Sequence, residues 1–97
     1  MFIVSLTYKS DLKEVDKHLD AHVAFLKQEY TNGNFIASGR KIPRTGGIIL
    51  SCVKNKDELK LILAKDPFNK AGIADYDITE FVPSMVAEGF EQLQEII

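Results

Sequence analysis

Phe35-Ile36-Ala37-Ser38-Gly39-Arg40-Lys41-Ile42-Pro43-Arg44-Thr45-Gly46-Gly47-Ile48-Ile49-Leu50-Ser51-Cys52-Val53 holds two strand-like runs with no helix between them. The runs are Phe35 to Gly39 and Gly46 to Val53. The loop that joins them carries three cations, Arg40, Lys41 and Arg44. Within it Pro43 pushes Ile42 into an extended conformation, and Gly46-Gly47 permits a close backbone approach where the second run begins. Two consecutive strands here, flanked by helical sequence on both sides, restrict the fold to few architectures.

Upstream, Val15, Leu19, Val23, Leu26 and Tyr30 fall in one stripe at about 100° per residue, which predicts a helix from about Leu12 to Tyr30. Ser10 or Asp11 can cap its start, and Thr31-Asn32-Gly33-Asn34 stops it. Downstream, Asn55-Lys56-Asp57 caps a second helix from Glu58 to about Ala64 with Leu59, Ile62 and Leu63 on its apolar face. Asp66-Pro67 breaks that helix, because proline lacks the backbone donor and disfavours helical geometry in the residue before it. Outermost lie a first strand, Phe2 to Tyr8, and a fourth, Tyr76 to Val82, closed by Pro83.

The order β-α-β-β-α-β predicts an α+β, ferredoxin-like domain over residues 1–84. A tail over residues 85–97 follows. Val86, Phe90, Leu93 and Ile97 give that tail a helical period from Met85 to Ile97, against which Gly89 costs about 1 kcal/mol. Both main helices should cover one face of a four-stranded antiparallel sheet. The other face, with Ile3, Ser5 and Thr7, stays open, so pairing of two copies into a homodimer is expected.

At 97 residues, 45% of them hydrophobic and 27% charged, the chain has the composition of one ordinary globular domain. Twelve basic against fourteen acidic residues, a net charge of −2, exclude a general nucleic-acid binder. No apolar run approaches the ~18 residues of a membrane span, and the sequence opens as a strand with no basic leader, which makes the cytoplasm the expected location. Cys52 has no internal disulfide partner and reads as a small hydrophobe within a strand.

His22 sits at the edge of the apolar stripe of the first helix. It is a candidate general acid or base, because imidazole titrates near neutral pH; the plainer role is a helix-edge histidine bonded to a backbone carbonyl. Asp66 has a local role as a cap before Pro67, one compatible with contact to His22. His18 and His22 have the four-residue spacing of metal ligands, but Leu19-Asp20-Ala21 between them lacks the usual glutamate and no third ligand is evident, so neither metal nor cofactor is expected. Arg40 and Arg44 are candidates for an anionic group of a small-molecule ligand, Arg44 being favoured because it abuts the Gly46-Gly47 turn. Tyr8 and Ser38 are candidates to line a pocket, although core packing is the simpler role for Tyr8 and for Tyr76. No serine lies in a nucleophile elbow.

The chain resembles the YCII-related (YciI-like) family over roughly residues 1–83. The resemblance rests on the opening strand, on His22 within Leu19-Asp20-Ala21-His22-Val23-Ala24-Phe25-Leu26, and on Ile36-Ala37-Ser38-Gly39. It continues through Arg44-Thr45-Gly46-Gly47, Asp66-Pro67-Phe68, Gly72-Ile73 and the last strand into Phe81. It implies a dimeric α+β barrel and an active site around His22 and Asp66. One branch of that family dehydrochlorinates chlorinated hydroxyhydroquinones, which implies acid–base chemistry of lyase or isomerase type on small ring compounds. Arg40 departs from the family's frequent proline after Gly39, a change that bears on loop shape and ligand preference rather than on fold. Two functions therefore stand: an enzyme using His22 and Asp66, or a domain that binds a small ligand or assembles without turnover.

Overall fold

The computed structural model describes residues 1–95. Its strands are β1 (Phe2–Tyr8), β2 (Phe35–Arg40), β3 (Gly46–Ser51) and β4 (Ala74–Glu80), and its helices are α1 (Leu12–Thr31), α2 (Lys56–Leu63), the short α3 (Pro67–Lys70) and α4 (Glu91–Glu95). All pairings are antiparallel and the strand order is β2-β3-β1-β4. This is the ferredoxin-like arrangement expected from the order of elements.

Alternation along β1 places Phe2, Val4 and Leu6 under the helices, where they join Ile49, Val15, Leu59, Leu63 and Phe68 in one core. Gly46 is what lets β3 lie against β1. A Cβ on it would come within 1.8 Å of the Leu6 carbonyl oxygen, so the close approach read from Gly46-Gly47 is an absolute steric requirement at Gly46. Asp11 caps α1 by accepting from the Glu14 amide at 2.9 Å, and Gly33 takes the left-handed conformation (φ +77°) just past its end.

Among the described residues no helix covers the opposite sheet face, whose Ile3, Ser5 and Leu50 are half-buried. Register places Ile3 beside Leu50 and Ser5 beside Ile48 there, with Thr79 and Asp77 on β4. Ile48 is 38% exposed. No helix among the described residues is long and apolar enough to cross a membrane.

Two expectations need correction. The buried stripe of α1 runs through Val15, His22 and Glu29, while Val23 and Tyr30 are exposed. His22 is thus central to the stripe rather than at its edge: the polar residues that carry the seven-residue spacing face inward because each has a partner there, Asp66 for His22 and Asn34 for Glu29. The tail is not a continuous helix from Met85. Among its described residues only Glu91–Glu95 is helical, because Gly89 stands at φ +94°, outside helical geometry, and the chain from Phe81 to Ala87 has no regular structure. Ile97, the last position of that expected period, lies outside the described residues.

Candidate functional site

Asp66 is positioned by the break that Pro67 imposes. With helical geometry disfavoured before proline, the chain leaves α2, turns, and restarts as α3 with Asp66 as its N-cap and Pro67 at the first helical position. The carboxylate is completely buried and accepts three hydrogen bonds. Oδ1 takes the Phe68 amide at 3.0 Å and His22 Nδ1 at 2.7 Å, and Oδ2 takes the Tyr76 hydroxyl. The cap and the contact to His22 are therefore one arrangement.

His22 reaches this carboxylate from the middle of α1. Its ring stacks on Phe68, with centroids 4.0 Å apart and planes 8° from parallel, and Tyr8 packs perpendicular to the same Phe68 with centroids 5.8 Å apart. With the Asp66 carboxylate as acceptor, Nδ1–H is the donor in this contact. Among the described residues Nε2 has no hydrogen-bond partner, yet no buried side-chain nitrogen or oxygen is left unpaired, so Nε2 is the nitrogen reached from outside. Tyr76 sits on β4 opposite Leu6. Burial first, then its hydrogen bond to Asp66, pushes its phenol far above the usual range, which keeps it a donor to the carboxylate.

His22 closes one side of a cavity of about 170 Å³ between α1 and the β2-β3 half of the sheet, open to solvent on one side. Leu6, Leu19, Val23, Leu26 and Ile49 give it apolar walls, and Tyr8, Ser38 and Arg40 supply polar groups. Ser38 and Arg40 face the cavity because β2 contains a bulge between Phe35 and Ala37. Strict alternation from the inward Phe35 would have turned both to the outer face; the extra residue resets the parity, so that Ser38 pairs with inward Ile49 and Arg40 with Gly47. Ser38 Oγ is hydrogen-bonded to the Tyr30 hydroxyl.

Arg44 lies elsewhere. Its guanidinium binds Asp16 Oδ1 at 2.6 Å, a contact that raises its pKa, and it borders a larger, shallower hollow that shares Tyr8, Leu19 and Arg40 with the inner cavity. His18 points to Glu14 at 3.6 Å. Among the described residues no cluster of three His, Cys, Asp or Glu side chains is placed to hold a metal.

The model of the YCII-related domain matches residues 1–82. The chain belongs to this family. Among curated protein sequences none matches it. In fold, this YCII-related chain is similar to 5-chloro-2-hydroxyhydroquinone dehydrochlorinase (TftG) from Burkholderia phenoliruptrix AC1100, solved in complex with 2,5-dihydroxybenzoquinone. The TM-score is 0.70 at 18% identity, covering 84% of this chain and 93% of that one. At that identity the likeness concerns the fold.

Two residues around His22 and Asp66 have roles that the sequence does not reveal. For Tyr76 the sequence offers a pocket wall or, more simply, core packing, and its place in β4 is legible, but not that its hydroxyl meets a carboxylate ten residues earlier. Phe68 stands out in the sequence only as part of Asp66-Pro67-Phe68. Its signal was the spacing itself, since a residue two beyond a capping aspartate lies in the first turn, close to whatever the aspartate holds.

Proposed function

We propose that this chain is a small-molecule enzyme of lyase or isomerase type in which His22 transfers a proton and Asp66 orients it. The buried 2.7 Å contact between His22 Nδ1 and Asp66 Oδ1, made by a histidine that lines a cavity, carries the reading. A substrate hydroxyl or acidic C–H gives its proton to Nε2. The imidazolium so formed lies against the Asp66 carboxylate, which stabilises the charge without moving. The same nitrogen then returns the proton to a leaving group or to another carbon, a step that contributes about 10²–10⁴-fold in such sites. Tyr8, Ser38 and Arg40 contact the substrate, and Arg44 acts from the rim.

The cavity volume limits the substrate. A cavity of about 150 Å³ accommodates benzene, so about 170 Å³ admits one substituted six-membered ring. The fold likeness to a dehydrochlorinase makes 5-chloro-2-hydroxyhydroquinone the first compound to try. Chloride release by wild type, lost in His22→Asn, together with binding of 2,5-dihydroxybenzoquinone followed by its absorbance, is the expected result. If the quinone fails to bind and no ring compound of this size is turned over in a His22-dependent way, the reading is wrong. A domain that only binds would be favoured by a closed cavity; this one is open.

The reading includes a homodimer. Both main helices cover the same sheet face, and Ile3, Ile48 and Leu50 on the other favour burial against the same face of a second copy.

A further inference from the structure

Resting on the reading of the cavity as a proton-transfer site, we propose that its substrate is a single hydroxylated ring bearing a carboxylate, and that Arg40 selects it by binding that carboxylate at the cavity mouth. The three cations of the β2-β3 loop are not equivalent. Lys41 Nζ donates to Thr7 Oγ1 at 3.2 Å, and Arg44 is occupied by Asp16 at 2.6 Å. The Arg40 guanidinium has neither a hydrogen bond nor an ion pair among the described residues, although its side chain borders both the inner cavity and the adjoining hollow. Asp16 neutralises Arg44, so the uncompensated positive charge at the mouth is that of Arg40.

Most of the inner cavity is walled by aliphatic side chains that give a ring contact but no orientation, and the hydroxyls of Tyr8 and Ser38 are neutral, that of Ser38 being engaged by Tyr30. Of the residues that line it, His22 and Arg40 are the ones that can carry a positive charge. The planar, two-oxygen carboxylate matches the guanidinium fork and can be held by two parallel hydrogen bonds, which a neutral amide cannot reproduce. Held that way, a ring hydroxyl is turned toward Nε2. Arg40 is thus a specificity-determining residue. Its backbone is fixed by pairing with Gly47, so the position of the anion subsite is set by the sheet rather than by the loop that follows.

The test is an NMR titration that follows the His22 ring signals with two probes of the same shape, 4-hydroxybenzoate and its neutral counterpart 4-hydroxybenzamide. Wild type should bind the benzoate at least about tenfold more tightly. In Arg40→Gln the two affinities should converge, while Lys41→Gln should keep the wild-type preference. Equal affinities in wild type, or a preference that survives Arg40→Gln, overturn the anion subsite and leave the ring site standing. If neither probe moves the His22 signals at millimolar concentration, the cavity is not a ring site and both readings fall.

Discussion

Phe68 lies flat against His22, ring on ring at 4.0 Å, while its own amide donates to the Asp66 oxygen that His22 also contacts. One tripeptide, Asp66-Pro67-Phe68, thus holds the imidazole by edge and by face. The edge fixes the tautomer and the face fixes the plane. Phe68→Leu keeps the carboxylate contact and removes the stack, so turnover should fall through loosened ring orientation. Aromatic contact is worth about 0.5–1.5 kcal/mol beyond area burial, and the stability loss, read from urea unfolding, should be of that order plus a repacking cost. An unchanged turnover number in a folded Phe68→Leu variant would show that the stack is packing alone.

His22→Asn and Asp66→Asn act on one unit. Each should remove most turnover of whichever ring compound the wild type converts, and the double variant should lose little more than either single one. Asp66→Asn should also lower stability by about 1–3 kcal/mol, because three donors face the replaced group. Additive losses in the double variant would mean that the two residues work independently.

Tyr76 links stability to alkaline pH. Its pKa is raised in the fold from an ordinary 10.0, by burial and then by the hydrogen bond to Asp66. The protonated phenol is therefore the form the fold favours; its contribution is fully present below about pH 10 and is lost as pH rises from there toward the folded value. Tyr76→Phe should be less stable at neutral pH by about 1 kcal/mol but should lose stability less steeply above pH 10. Denaturant melts across that range compare the slopes, and equal slopes would sink the assignment.

Gly46→Ala should weaken the β1-β3 pairing that aligns Leu6 and Tyr8 beside the cavity. With the added methyl 1.8 Å from a backbone oxygen, the strand must shift. The expected loss is at least about 2 kcal/mol, in the range of overpacked cores. A melting temperature within error of wild type would contradict it.

Ile48→Asp places a charge on the uncovered sheet face and should convert a dimer to a monomer without disturbing the inner core, since Ile48 points away from it. Sedimentation at micromolar concentration compares the two. A wild-type monomer would falsify the sheet-to-sheet arrangement.

The fold was legible because its punctuation is chemical: Asp11 and Asn55 start helices, Gly33 and Pro67 end them, and alternation along β1 assigns its faces. The site was legible only in its two titratable residues. Asp66 and His22 are 44 residues apart, and what brings them together is the packing of α1 against α3, which a one-dimensional pattern does not contain. Weighing the stripe of α1 by hydrophobicity misplaced its centre, since His22 and Glu29 are polar residues buried with partners. The tail misled in the opposite sense. Its apolar spacing suits a helix, but Gly89 takes a left-handed turn.

The bulge in β2 also determines which changes in chain length this cavity can survive. Phe35 and Ile36 together occupy the place opposite Ser51, so removing Ile36 would yield a regular strand in which Ala37, Ser38, Gly39 and Arg40 keep their partners on β3. A relative shorter by that one residue would present the same serine and arginine to its substrate. Squeezing the bulge out while keeping every residue would instead exchange Ser38 and Arg40 for Ala37 and Gly39, giving a cavity without a cation from an identical sequence. The chemistry at this wall is therefore written in ladder register as much as in residue identity, and homologous positions in β2 have to be matched by hydrogen-bond partner rather than by counting along the chain.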